Sequence, residues 1–407
     1  MAFWFALFLS IVLVATSLQY QQVQGCDYFQ GRWVFDYSYP IYNASTCPFI
    51  GQGFDCVKNG RPDREYLKYR WQPNGCDLPR FNGRDFLERY RGKKIMFVGD
   101  SLSNNMWQSL TCMLHSAVPN SKYTISQTTF SFSEYGVTVI FMKNGFLVDV
   151  VRERVGRVLK LDTISTGKLW KGVDVLIFNT NHWWTHTGRS KTWDYFQIGN
   201  KLLKEMDRME AYKIGLTTWA KWIDANIQPS QTKVFFQGVS PNHANGSEWN
   251  PKARNCRAET KPVKGSEYPG PNNPGEDVVK SVLSKMAKPV YLLDITLLTQ
   301  LRKDGHPSIF GHGVQVLFIW RYLSGEYARW SLRPSTIHLQ SQADDRTILQ
   351  RKEKKSGESF HEYAQRWREL AAQVLPSMME DEMIKWFIDS LIGLVATWYV
   401  RLEQTSS

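Results

Sequence analysis

Apolar and polar positions along the chain change their rhythm three times, and each change marks a candidate boundary. Residues from Ala2 to Leu18 form an apolar run without charge, followed by the polar stretch Gln19 to Gly25. From residue 26 to about 90, Gly, Pro, Cys and aromatic residues are dense and little periodicity survives. That stretch predicts irregular structure packed on a neighbour.

From Lys93 to about His312 short apolar runs alternate with longer helix-like segments. Ile95 to Val98 is a four-residue apolar run ending in Gly99, as a buried parallel strand would be. Val173 to Phe178, Val234 to Phe236 and Val290 to Leu293 are three more. Between them Leu202 to Ile227 reads as a helix, with Leu203, Met206, Met209 and Ile214 at roughly helical spacing. Strand, helix, strand in this order predicts an α/β fold with a mostly parallel sheet flanked by helices. Residues 241–275, rich in Asn, Pro and Gly, predict a long surface loop.

After Gly313 the pattern changes again. Val314 to Trp320 is unpatterned and apolar, and Asp344 to Lys355 is charged. Two amphipathic helices then follow. Ser359 and Glu362 make a capping box, with Phe360, Tyr363, Trp367, Leu370 and Val374 on one face. Pro376 ends that helix, and Met383, Phe387 and Leu391 mark the next.

Composition places the chain among globular proteins, with 43% hydrophobic and 22% charged residues. The aromatics (16 Trp, 18 Tyr, 22 Phe) fit either a large aromatic core or a cleft that stacks on sugars. A net charge of +12 invites a nucleic-acid reading, but the basic residues are scattered and no recognition module accompanies them. Acidic polymers or a membrane surface suit a diffuse positive field equally well.

The N-terminal run reads as a signal peptide or signal anchor, although the first Lys or Arg is Arg32. Entry into the secretory pathway also agrees with two sequons, Asn43-Ala44-Ser45 and Asn245-Gly246-Ser247. Four of six cysteines (Cys26, Cys47, Cys56, Cys76) follow the apolar run, which in an oxidising lumen points to a disulfide-stapled subdomain. Six cysteines permit about 15 pairings, and spacing does not choose among them. No His/Cys/Asp cluster has metal-ligand spacing, so no metal is expected.

The chemistry centres on Gly99-Asp100-Ser101, directly after the first buried strand and before a helix starting near Leu102. Ligands of open α/β sheets sit beyond the carboxyl ends of the strands. A serine at a helix N-terminus there has free backbone N–H groups beside a developing oxyanion, and Gly99 lets the chain turn sharply. The second element is Asn179-Thr180-Asn181-His182-Trp183-Trp184, after the second strand. An Asn there either donates its amide to the oxyanion or caps the next helix. Ser240-Pro241-Asn242-His243 and Trp249, after the third strand, form either a turn or a substrate wall.

These motifs, with those upstream, resemble the plant trichome birefringence-like polysaccharide O-acetyltransferases. Cys26 to Val34, Cys47 to Ile50, and Arg70 to Pro73 with Cys76 look like the family's N-terminal domain. Val98 to Ser103 with Asn105 and Trp107, Asn179 to Trp184, and Trp249-Asn250 look like its esterase-like domain. The similarity covers residues 26 to about 313, with the esterase-like part over 91–313. It implies a GDSL/SGNH-like fold, a Golgi or wall location, and an acetyl group carried as an ester on Ser101. It implies Asn181 near the oxyanion hole; His182, Trp183, Trp184, His243 and Trp249 are the candidates for the substrate cleft. It also implies Cys26–Cys76 and Cys47–Cys112 disulfides. No bound cofactor is expected, only an acetyl donor. The expected partners are a cell-wall polysaccharide and the Golgi membrane, with no nucleic acid for the main domain.

One family motif is absent. The family completes its triad with Asp-x-x-His between two cysteines, and no such motif occurs in this sequence. Lys303 to His312 resembles the segment just upstream of it, leaving Asp304 and His306 as weak substitutes. Cys56 and Cys256 lose the partners that segment supplies, and either pair with each other or stay reduced. A serine without a base and its orienting partner loses on the order of 10⁴–10⁶ in rate. Residues 314–344 then read as a junction. The segment 345–407 contains Glu358 to Val374, which resembles the Gag capsid-like region of a plant retrotransposon. The expectation is an acetyltransferase of xylan- or pectin-class polysaccharides, impaired in catalysis. An acetylesterase and a non-catalytic polysaccharide-binding protein are the alternatives.

Overall fold

The computed structural model describes residues 27–241, 243, 245–305 and 310. The expected targeting segment 1–25, Cys26, Asn242, His306, the junction and the Gag-like helices lie outside the described residues. The chain divides into two units, Met1–Arg329 and Trp330–Ser407, and every described residue belongs to the first.

The Cys- and aromatic-rich stretch contains more regular structure than its composition predicts. β1 (Gly31–Phe35) and β2 (Tyr69–Pro73) pair antiparallel, with Trp33 opposite Trp71. The two indoles meet edge-on at 5.5 Å and are buried. The connection between the strands is irregular, with short 3₁₀ turns, and Cys47 in it is bonded to Cys112. Cys76 is disulfide-bonded as well. Trp33 Nε1 donates to the Leu298 carbonyl at 2.8 Å, and the Arg302 guanidinium lies 4.5 Å from its ring centroid. The N-terminal stretch therefore shares its burial with the C-terminal end of the described chain.

The remaining elements run in order. They are α1 (Gly83–Arg89), β3 (Lys94–Gly99), α2 (Ser101–Ala117), β4 (Tyr123–Ser126), β5 (Thr129–Phe132), β6 (Val137–Lys143), β7 (Asp149–Glu153) and β8 (Gly156–Lys160). Then come β9 (Val175–Phe178), β10 (Tyr195–Ile198), β11 (Lys201–Leu203), α3 (Arg208–Asn226), β12 (Lys233–Gln237), α4 (Pro274–Leu283), β13 (Tyr291–Leu293) and α5 (Thr296–Gln300). The main sheet has the order β13-β12-β9-β3-β6-β5-β4. It is parallel from β13 to β6, and β5 and β4 add antiparallel. All four apolar runs became strands of its parallel part, because strands covered on both faces must be apolar throughout. A second sheet, β11-β10-β8-β7, was not legible as a unit.

The helix expected from Leu202 to Ile227 begins only at Arg208, where Asp207 caps it by accepting from Glu210 N at 2.8 Å. Its first two expected residues, Leu202 and Leu203, lie in β11, paired to β10 across a turn at Gly199, whose φ is +53°. Leu203 and Met206 still pack on the core, which explains why their spacing mimics a helix. The long segment 241–275 runs into α4 at Pro274; before it the described residues carry no strand and only a short turn at Gly246–Glu248, yet His243 and Cys256 are buried. Trp71, Trp170, Trp184, Trp193 and Trp219 are fully buried, so the core absorbs much of the aromatic excess.

Candidate active site

Strand β3 delivers Gly99-Asp100-Ser101 to the carboxyl edge of the sheet, and Ser101 opens the 17-residue helix α2. Asp100 caps that helix. Its Oδ1 accepts from Leu102 N at 2.8 Å and from Asn179 Nδ2 at 2.8 Å. Asn179 in turn accepts the Ser103 hydroxyl at 2.5 Å and Asp100 N at 3.3 Å. Gly99 is needed for this contact and not for a sharp turn, since its φ is not positive. A methyl there would stand 1.9 Å from Asn179 Oδ1. Ser101 itself is half-buried, and no described residue occupies its hydroxyl. The helix N-terminus leaves backbone N–H groups and a favourable dipole beside it.

Strand β9 lies beside β3, with Phe178 opposite Val98, so the residues following both strands emerge together. The two asparagines differ in what they have left to offer. Asn179 is committed to Asp100 and Ser103. Asn181 is buried, and its Nδ2 has no partner. It precedes the turn His182–Thr185 without capping it, so the capping alternative does not hold. A buried amide without an acceptor costs about 1–3 kcal/mol, which an oxyanion would offset.

The other expected cleft residues separate. His182 is half-buried and its Nε2 lies 2.7 Å from the Ser240 carbonyl, so that nitrogen donates. Trp183 is half-buried against Gly145, with the Lys143 ammonium 5.3 Å from its ring centroid. Lys143 is paired with Gly99 across β6 and β3, which puts both at the same edge. Trp184 is a core residue, fully buried against Phe146 and Tyr212, with its Nε1 donating to Thr180 Oγ1 at 2.8 Å. His243 is also interior. Its Nε2 contacts the Gln300 carbonyl at 2.6 Å, and burial pushes its pKa down to about 4. Trp249 packs on it at 5.6 Å and donates to Glu259 at 2.9 Å, so this loop is anchored inward.

Asp304 is fully buried in an ion pair with Arg302, at 2.8 Å and 3.1 Å. That bidentate pair accounts for Asp304 structurally. The sequence reading overlooked His186, which is half-buried four residues after His182 with a buried, unpartnered Nδ1. Burial lowers its pKa, neighbouring His182 adds to the effect, and Asp100 opposes it. Tyr212 was also overlooked. Its hydroxyl donates to the Thr180 carbonyl at 2.7 Å, and burial, with the charge of Asp100, raises its pKa well above the ordinary value. Asn43 and Asn245, the sequon residues, are both exposed, though each side chain accepts a backbone N–H two residues on.

Residues 78–317 match the PC-esterase family model, described as a GDSL/SGNH-like acyl-esterase family found in Pmr5 and Cas1p. Residues 24–77 match the PMR5 N-terminal domain. Protein trichome birefringence-like 42 of Arabidopsis thaliana is 63% identical over 304 residues, covering 73% of this chain and 84% of that protein. Protein trichome birefringence-like 41 of the same plant is 51% identical over 333 residues, covering 80% and 92%.

The chain belongs to the trichome birefringence-like, PC-esterase family.

For a trichome birefringence-like chain the boundary between the two matched domains, at residues 77 and 78, falls just after Cys76. The Cys47–Cys112 bond crosses that boundary, tying the N-terminal domain to the helix that begins with Ser101. Among the described residues no helix is long and apolar enough to cross a membrane.

Proposed function

We propose that this chain is an O-acetyltransferase of plant cell-wall polysaccharides, of the xylan or pectin class, working through an acetyl ester on Ser101. In the first half-reaction Ser101 Oγ attacks the donor's acetyl carbonyl, gives up its proton to a base, and the donor's leaving group departs. In the second, a sugar hydroxyl attacks the acetyl-serine carbonyl, loses its proton, and restores the serine. Each tetrahedral intermediate places negative charge on the carbonyl oxygen. The observation that carries this reading is Ser101 at the N-terminus of α2 beside a neighbouring strand end bearing the unpartnered amide of Asn181.

The chemistry is slow in this chain. The sequence contains no Asp-x-x-His, and neither His182 nor His186 bonds a carboxylate among the described residues. His182 Nε2 is spent on a carbonyl. We place the protein in the secretory pathway, at the Golgi, on the reading of residues 1–25. Residues 345–407 are taken as a Gag-like fragment on their resemblance.

The test uses the full chain and p-nitrophenyl acetate as acetyl donor. Mass spectrometry should find acetyl on the Ser101 peptide and none after Ser101→Ala. Adding xylo- or galacturono-oligosaccharides should move acetyl to sugar; free acetate in its place identifies the acetylesterase. Acetylation that ignores Ser101→Ala refutes the proposal.

A further inference from the structure

A cleft of about 430 Å³ opens between the start of α4 and the end of β13, and neither Ser101 nor Asn181 is among its lining residues. Its walls include Tyr268, Asn272, Glu276, Lys280, Asp294 and Gln300. The volume is that of small-ligand clefts, about 300–1,000 Å³. Its position ties it to the candidate site. Glu276 follows Gly275, and a methyl on Gly275 would stand 2.2 Å from Asn181 Nδ2. Asp294 directly follows β13, the strand beside β12, at the same carboxyl edge as Ser101. Thr296, two residues further, has a buried hydroxyl without a partner.

The lining is chemically particular. Lys280 holds Glu276 at 2.5 Å and Asp294 at 3.1 Å, and Glu267 adds a third carboxylate to the wall. Three carboxylates to one ammonium make the cleft negative in a chain whose net charge is +12. Carboxylates fixed by a shared ammonium retain lone pairs that accept sugar hydroxyls in charge-assisted hydrogen bonds. Tyr268 supplies a ring, held in place by its hydroxyl donating to Glu248 at 2.5 Å, and Leu297 an apolar patch. The same carboxylates repel a uronate at short range.

We propose that this cleft is the acceptor subsite and that it selects an uncharged glycan over a polyuronate. The inference rests on the acyl-transfer reading of Ser101 and narrows its substrate class. Binding without chemistry tests it. Full-length Ser101→Ala protein is titrated calorimetrically with xylohexaose and with hexagalacturonate at fixed salt. Xylohexaose should bind at least about tenfold more tightly. Combining Glu276→Gln with Asp294→Asn should erode that preference by about tenfold, partly through tighter hexagalacturonate binding. Because that pair frees Lys280 and could unfold the region, Glu267→Gln, at an exposed position, is run in parallel and should shift the preference in the same direction. A merely structural role would lower both affinities together. Equal or tighter hexagalacturonate binding, an unchanged preference in the folded variants, or no xylohexaose binding at millimolar concentration overturns the proposal. Acetylation of Ser101 by p-nitrophenyl acetate is measured separately on the native serine. If it persists while the preference is missing, the subsite fails alone; if it is lost, the Ser101 reading fails.

Discussion

Replacing Gly99 by alanine puts a methyl group 1.9 Å from Asn179 Oδ1, 2.6 Å from the Asn179 carbonyl and 2.6 Å from Ser103 Oγ. These are neither flexible ends nor open space. Asn179 is buried and held by three hydrogen bonds, to Asp100 Oδ1, Asp100 N and Ser103 Oγ. The methyl fits only if the Asn179 amide leaves or β3 and β9 separate. Overpacking costs about 1–3 kcal/mol, and each hydrogen bond lost adds about 1 kcal/mol. The expected destabilisation is about 4 kcal/mol. At about 2–4 °C per kcal/mol for a domain of this size, Tm should fall by roughly 8–16 °C. Acetylation of Ser101 should fall as well, because Asp100 loses the partner that holds the start of α2. Thermal unfolding by circular dichroism gives the first number, and mass spectrometry of the Ser101 peptide gives the second. A Tm within about 2 °C of the parent with undiminished acetylation would refute the reasoning.

Three further outcomes are expected. The Cys47–Cys112 bond spans 65 residues, so Cys47→Ser with Cys112→Ser should cost about 4 kcal/mol, read as a fall in Tm that reductant, which also opens the Cys76 bond, equals or exceeds in the parent. Asp304→Asn removes the carboxylate that pairs bidentately with the buried Arg302 guanidinium and should cost about 3–5 kcal/mol, while acetylation per folded molecule stays unchanged; the reverse pattern would make Asp304 catalytic. His243 has a folded pKa of about 4 against an ordinary 6.5, so below pH 6.5 the unfolded chain binds the proton that the folded one refuses. Its contribution is fully present above pH 6.5 and is lost as pH falls towards 4, on the order of 3 kcal/mol in all. His243→Asn, which tolerates the φ of +49°, should flatten unfolding free energy against pH in that window.

Local pattern made much of this molecule legible. A strand covered on both faces has no polar alternation, so Ile95–Val98 and its three counterparts could be read one at a time. The serine followed from its place between such a strand and a helix. Asn181 could be named, but only its hydrogen bonds show that its side chain does not cap the following turn. Trp183 and Trp184 are adjacent and alike in sequence. Only packing shows that one is half-exposed beside Lys143 and the other lies in the core. The same holds for His243, whose polar loop gives no sign of burial, and for Asp304, whose partner Arg302 is two residues away but is itself held by Trp33 and Tyr66, far off in the chain.

By itself the sequence determined the main parallel strands, the serine that opens α2, the cysteine-rich stretch and the family, because each is written in contiguous residues. Tertiary structure decided the second sheet, the reason for Gly99, the inward fate of Trp184 and His243, and the cleft beside Asn181. These depend on which distant segments meet. A strand such as β11 exists only because β10 is there to bond it, and Glu276, Lys280 and Asp294 become one wall only when α4 folds against β13.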